Sequence, residues 1–102
     1  MTETSDVAII GAGPVGLFGA FYAGLRGMSV RAIDSLAEPG GQLAALYPEK
    51  PVYDMPGFPE VLARDLADGL FKQADRFSPV MTLGTRCESL AREGDKWLLG
   101  TT

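Results

Sequence analysis

The residues that stand out chemically are three glycines near the N-terminus. Gly11, Gly13 and Gly16 fit the pattern Gly-x-Gly-x-x-Gly, which binds the pyrophosphate of dinucleotides where a strand precedes it and a helix follows it. There the first glycine allows a tight turn, the second lets the main chain approach the phosphates, and the third lets helix and strand pack closely. Pro14 suits the first helical turn, because its missing N–H costs nothing there. The pattern predicts a phosphate-binding turn.

A carboxylate stands where such sites place their ribose contact. Asp34 lies 23 positions after Gly11, near the ~20 residues expected for the ribose-binding acid. A carboxylate accepts hydrogen bonds from ribose hydroxyls and repels a 2′-phosphate, so we expect FAD or NAD rather than NADP. The turn and the acid alone do not separate FAD from NAD. The competing interpretation is a ligand-free glycine-rich turn, with Asp34 solvated at a strand end.

These residues need a strand, a turn, a helix and a second strand to bring them together. Residues 6–10 (DVAII) are a short β-branched run typical of a buried parallel strand. A helix is predicted from Pro14 to Gly27, with Ala20 and Gly27 continuing the small-residue spacing that keeps it against the sheet. Residues 29–34 (SVRAID) give the second strand. The sequence therefore predicts an α/β fold built on a Rossmann-like βαβ unit.

The rest of the chain predicts an ordered loop, a helix and a β-hairpin. Residues 38–59 are rich in glycine and proline but too apolar for a solvated linker. A stripe of apolar residues at helical spacing between 62 and 77 is assigned to the core. The pattern becomes strand-like at Val80, and a turn at 93–95 separates two strands.

The predicted hairpin extends from 86 to 102, and Trp97 is expected to pack within it. Only two strands of a parallel sheet are predicted, fewer than such sheets usually have. We therefore expect an incomplete domain, the front part of a longer protein.

The composition excludes several other kinds of site. The sequence has no histidine and Cys87 is its only cysteine, which excludes an internal disulfide, a CxxC pair and a thiolate zinc site. No metal site is predicted, and Cys87 is expected to be a small buried residue. The net charge of −4 argues against nucleic acid or an anionic membrane as partner. With no apolar run of about 18 residues and no signal peptide, we expect a cytoplasmic protein.

The segment after the βαβ unit resembles a known family. Residues 38–43 (EPGGQL) and 53–59 (YDMPGFP) are similar to the thioredoxin reductase-like flavoproteins, whose first domain binds FAD. The runs 40–50 (GGQLAALYPEK) and 13–18 (GPVGLF) more specifically resemble the ferredoxin–NADP reductase branch. The resemblance implies a homodimeric oxidoreductase in which NADPH reduces FAD and the flavin passes electrons to ferredoxin or flavodoxin.

The resemblance also implies roles for residues on the ADP side of the cofactor. The loop Gly11–Gly16, with Pro14, binds the pyrophosphate, and Asp34 binds the ribose. Cys87 falls where the family usually has a valine whose main chain meets the adenine.

Further residues are implied on the flavin side. Gln42, beside Gly41, hydrogen-bonds the flavin or its ribityl chain, and Tyr47 stacks on one face of the isoalloxazine ring. Asp54 stands where thioredoxin reductases commonly have an asparagine near the flavin. The alternatives are that Tyr47 only packs in its loop and that Gln42 caps the short helix it begins.

Residues 1–102 are accordingly interpreted as the N-terminal portion of a discontinuous FAD-binding domain. The glycine motif for NADPH and the closing part of the FAD domain are not in this sequence, and no catalytic residue is assigned. We expect the chain alone to lack NADPH–ferredoxin activity. The alternatives are a thioredoxin reductase, a sulfide- or quinone-linked flavoprotein, and a truncated piece that binds nucleotide weakly or only packs with another chain.

Overall fold

The computed structural model describes residues 3–102 and has a mixed α/β architecture. In chain order its elements are β1 (Val7–Ile10), α1 (Pro14–Leu25), β2 (Val30–Ile33), α2 (Gly41–Leu46), β3 (Pro51–Val52), β4 (Val61–Leu62), α3 (Ala63–Asp75), β5 (Val80–Thr82), β6 (Cys87–Glu93) and β7 (Lys96–Thr101). The predicted βαβ unit is confirmed as β1, α1 and β2. The segment predicted as an ordered loop contains α2 and β3.

The main sheet has three parallel strands in the order β1-β2-β5. Val7 pairs with Val30, and Arg31 pairs with Val80. The expectation of only two parallel strands was wrong, because β5 joins the sheet beside β2. A strand of three residues is too short for its pattern to show whether its partner is parallel or antiparallel.

The N-terminal ends of β1 and β2 are joined by two reciprocal hydrogen bonds. The Asp6 N–H donates to the Ser29 hydroxyl at 2.8 Å, and the Ser29 N–H donates to the Asp6 carboxylate at 2.9 Å. Both bonds join the main chain of one segment to the side chain of the other. They fix the register at the end of the sheet opposite the glycine turn.

The core lies between the sheet, α1 and α3, and most of its members are small. Leu17 and Ala20 of α1 and Ala74 of α3 have no exposed surface. The segment that follows α3 also lies close to α1, since a Cβ built on Gly24 would be 2.5 Å from the Cβ of Phe77. Small residues at the contact therefore set how near the helices approach.

The predicted helical stripe is confirmed in its central part. Leu66 and Ala74 are buried in α3, but Leu62 belongs to β4 and Phe77 is 37% exposed beyond the helix. Among the helices of residues 3–102, none combines the length and apolar character needed to cross a bilayer.

The predicted hairpin is confirmed as the antiparallel pair β6 and β7. Its base is closed by Arg86 and Thr102, because the N–H of each bonds to the other residue, both at 3.0 Å. The expected packing of Trp97 was wrong: its side chain is 61% exposed and lies under the Arg92 guanidinium at 5.1 Å. Most side chains of the hairpin are exposed, so neither face supplies a buried position for the indole.

Candidate dinucleotide-binding site

The glycine turn lies at the carboxyl end of β1, as its pattern predicts. Gly11 has a φ of +107°, a conformation that favours glycine, and its N–H donates to the Ile33 carbonyl at 2.7 Å. A Cβ built on Gly16 would lie only 1.9 Å from the Gly11 carbonyl oxygen. The geometry thus requires glycine at position 16, because only an absent side chain lets α1 start so close to the turn.

The N-terminus of α1 is open to an anion. Pro14 is its first residue, Gly13 is its N-cap, and no side chain of the described structure caps it. The N–H groups of the first turn have no partner inside a helix, and they lie at the positive end of the helix dipole. This arrangement binds phosphates in many proteins.

A second pair of glycines packs against the turn from the side. The Gly40 N–H donates to the Ala12 carbonyl at 2.8 Å. A Cβ built on Gly41 would come within 2.9 Å of the Gly13 Cα, and Gly41 has a φ of +68°. Gly41, a predicted site residue, therefore lies main chain against main chain with the glycine turn.

Asp34 lies at the end of β2 with its carboxylate directed at the main chain. One oxygen accepts the Ala12 N–H at 2.7 Å, and the other accepts the Leu36 N–H at 2.9 Å. The predicted acid is thus brought against the glycine turn, where both of its oxygens already have main-chain partners.

An open pocket joins three predicted residues that are far apart in the sequence. Gly11, Asp34 and Cys87 line it together, along with Ser35 and Arg86. The pocket lies at the carboxyl ends of β1 and β2, the usual position of ligands in open α/β sheets. Cys87 is half-buried there, not buried as expected, since it begins β6 at the pocket wall.

The predicted flavin-side residues are less closely gathered. Asp54 lines a second open pocket with Leu43, Lys50 and Tyr53. Tyr47 follows α2 with 56% of its surface exposed, and the Lys50 ammonium lies 5.5 Å from the centre of its ring. More than half of this residue is thus open to solvent, and its contact with Lys50 lies within its own loop.

Gln42 does not act as the cap of its helix. α2 begins at Gly41 with Gly40 as its N-cap, and no side-chain capping bond is formed within the described structure. The side chain of Gln42 is exposed in the first turn.

Sequence reasoning missed several residues that line the two pockets. Ser35 and Arg86 are the chain neighbours of Asp34 and Cys87 in the first pocket, and Lys50 lines the second pocket while its ammonium lies over the Tyr47 ring. Their position beside a predicted site residue was the only signal available, since nothing in their spacing distinguishes them from ordinary surface residues.

Comparison with known proteins shows what this chain is similar to. No protein-family model matches the chain. The ferredoxin–NADP reductase of Thermus thermophilus is 57% identical over 100 residues, which cover 98% of this chain and 30% of that protein. The enzyme of the same name from Saccharopolyspora erythraea is also 57% identical, over 84% of this chain and 26% of its own. The predicted resemblance is confirmed. The chain spans about 30% of the length of these relatives.

Solved structures agree on the fold. The thioredoxin reductase of T. acidophilum superposes with a TM-score of 0.81 at 28% identity, over 95% of this chain and 30% of that one. The thioredoxin reductase of Streptococcus pyogenes gives a TM-score of 0.82 at 26% identity, with the same coverage. A steroid monooxygenase bound to NADP shares the fold with a TM-score of 0.76 at 22% identity. The chain thus has a Rossmann-like oxidoreductase fold and spans part of each neighbour's length.

Proposed function

We propose that this chain is the FAD-binding part of a flavoprotein oxidoreductase that carries electrons from NADPH to ferredoxin or flavodoxin. The observation that carries the proposal is the meeting of the glycine turn, the Asp34 carboxylate and Cys87 at one end of the sheet. The 57% identity to the ferredoxin–NADP reductase of Thermus thermophilus supports this electron-transfer reaction over the thioredoxin reductase alternative, since the thioredoxin reductase of T. acidophilum is 28% identical. On this proposal, residues 1–102 are the N-terminal portion of a discontinuous FAD-binding domain.

The ADP half of FAD suits the first pocket. Gly13 and the open N-terminus of α1 would hold the pyrophosphate, with Pro14 starting the helix and Gly16 keeping it close. Each carboxylate oxygen has about two acceptor positions, so Asp34 can accept ribose hydroxyls beside its main-chain bonds. The main chain at Cys87 would meet the adenine, which its place in the same pocket as Gly11 and Asp34 supports.

The flavin half is assigned to the segment that follows β2. Gln42 would hydrogen-bond the ring or the ribityl chain from the first turn of α2, with Gly41 beside it. Tyr47 would stack on the ring, which its large exposed surface supports. Asp54 would lie near the ring from the wall of the second pocket.

FAD, when bound, supplies the centre that accepts a hydride and releases single electrons. This chain's own contribution is to bind and orient the cofactor, so we assign it no acid–base residue. NADPH would be held by residues outside this chain. We further propose that the parent protein is a homodimer in the cytoplasm.

The direct test is the visible absorption spectrum of the purified chain, followed by identification of any released small molecule. We expect a flavin spectrum and FAD on denaturation. A chain that stays colourless with added FAD would show that the site needs the rest of the protein, and a chain that takes up NAD instead would overturn the assignment.

A matched pair of variants locates the cofactor. A Cβ built on Gly13 would meet only the Gly41 Cα, at an ordinary 3.6 Å, so Gly13→Ala fits the ligand-free fold while its methyl group blocks the phosphates. We expect FAD affinity to fall about tenfold or more, the loss of roughly one charged hydrogen bond. Gly69→Ala, on an open face of α3, should leave FAD affinity unchanged. Equal affinities for both variants would place the pyrophosphate elsewhere.

A further inference from the structure

The side chain of Asp34 is anchored by hydrogen bonds within the protein. Its own N–H donates to the Thr82 carbonyl at 3.0 Å, and its carbonyl accepts the Thr85 N–H at 2.9 Å. These bonds fix the base of the side chain between β5 and the turn that follows it. The carboxylate is therefore a rigid acceptor, and it receives the N–H groups of Ala12 and Leu36.

Ala12, in the middle of the glycine turn, is held from both sides. Its N–H points to Asp34, its carbonyl accepts the Gly40 N–H, and the residue has no exposed surface. A buried N–H that loses its acceptor is unfavourable, because water does not replace the lost bond. Without the carboxylate, the turn would have to rearrange to bring this N–H to another partner.

We propose that Asp34 is a positioning residue whose carboxylate holds the glycine turn in its pyrophosphate-binding conformation before the dinucleotide arrives. This role rests on the proposed function and is separate from the ribose contact, since it acts on the phosphate half of the site through Ala12. It makes the site preorganised, so that binding does not have to order the turn.

Electrostatics and positioning predict opposite changes in pyrophosphate affinity for the same substitution at Asp34. Asp34→Asn removes a negative charge beside a loop that binds an anion, and by Coulomb's law alone this change strengthens pyrophosphate binding. Asparagine keeps the shape but has one acceptor oxygen and a donor NH2 group. It can accept only one of the two N–H bonds, and its NH2 group faces the other N–H. Positioning by Asp34 therefore predicts weaker pyrophosphate binding.

The experiment compares wild type, Asp34→Asn and Asp6→Asn of the whole chain. Binding of inorganic pyrophosphate and of adenosine is measured by NMR titration, and exchange of the Ala12 amide is measured without ligand. Asp6→Asn is the matched control, because Asp6 also accepts a main-chain N–H but at the far end of β1. We expect Asp34→Asn to weaken pyrophosphate binding about tenfold, the loss of a charge-assisted bond, and to speed Ala12 exchange by a similar factor, with Asp6→Asn unchanged in both.

Each outcome decides the role. Unchanged or tighter pyrophosphate binding in Asp34→Asn, with only adenosine weakened, would leave Asp34 as a ribose ligand and overturn the positioning role. If Asp34→Asn does not fold, the ligand-free wild type still decides, because positioning requires slow exchange at Ala12 and faster exchange at the open Val15 amide. A wild type that binds neither pyrophosphate nor FAD would reject the proposed function. The exchange rate of the Ala12 amide would still show whether Asp34 holds the glycine turn in place.

Discussion

In the βαβ unit, buried side chains from three elements pack on one another, whereas the β6–β7 hairpin consists of two strands that mainly contact each other. Leu17 has no exposed surface, but Leu90 in the hairpin is 59% exposed. Apolar burial contributes roughly 25 cal/mol per Å², so the two regions gain stability from different sources. The first depends on side-chain packing, and the second depends on main-chain hydrogen bonds and cross-strand pairs.

The difference explains where glycine is required. Around the glycine turn, main chain meets main chain at Gly16 of α1 and at Gly41 of α2, and an added methyl group would collide with fixed atoms. In the hairpin, Gly94 has open space around it and serves only the turn. Close packing therefore makes Gly16 and Gly41 sensitive to the volume of an added side chain, whereas Gly94 is sensitive only through its φ of +67°.

The largest difference in stability between the two regions should come from replacing a leucine in each with alanine. We expect Leu17→Ala to lower the free energy of unfolding by about 3 to 4 kcal/mol, because it leaves a cavity in a site with no exposure. Leu90→Ala should cost below about 1 kcal/mol, since most of that side chain already meets water. Urea denaturation of both variants measures the difference, and equal losses would mean that the hairpin is packed after all.

A smaller effect is expected from adding a methyl group at glycine. Gly16→Ala should cost about 2 to 3 kcal/mol, because overpacking against the Gly11 carbonyl exceeds the helix propensity gained. Gly69→Ala, with open space in α3, should instead stabilise by up to about 1 kcal/mol. Thermal melts of the pair provide the measurement. Destabilisation by both would show that helix geometry, not the contact with Gly11, is responsible.

The smallest effect should be found at the hairpin tip. The Arg92 guanidinium lies over the exposed ring of Trp97, and such exposed pairs contribute roughly 0.5 to 1 kcal/mol. A double-mutant cycle with Arg92→Ala and Trp97→Ala should return a coupling in this range. A coupling well above it would indicate that the indole is covered in solution.

The βαβ unit was predictable because its signals are local. A β-branched run, three glycines and an acid at a fixed distance specify the strand, the turn and the position of Asp34 without knowledge of distant contacts. The meeting of Asp34 with Cys87 followed from the family resemblance, and the shared pocket brings the two residues together.

Other features depend on contacts between residues that are far apart in the sequence, which no local pattern reveals. The three residues of β5 do not reveal their parallel partner, and the apolar run from Trp97 to Leu99 does not show which of its side chains are covered. The bond from Ala12 to Asp34 depends on the exact direction of one N–H. The sequence predicted the acid, but not that main-chain groups already occupy both of its oxygens.

The contact between Gly13 and Gly41 has a consequence for how such a sequence can change over generations. A side chain at position 41 would displace the turn at position 13. The glycine turn therefore restricts which residues can replace Gly41. We therefore expect selection to act on the two positions together, although strand β2 lies between them in the chain. Random mutagenesis with selection for cofactor retention should leave the same narrow range of residues at both positions.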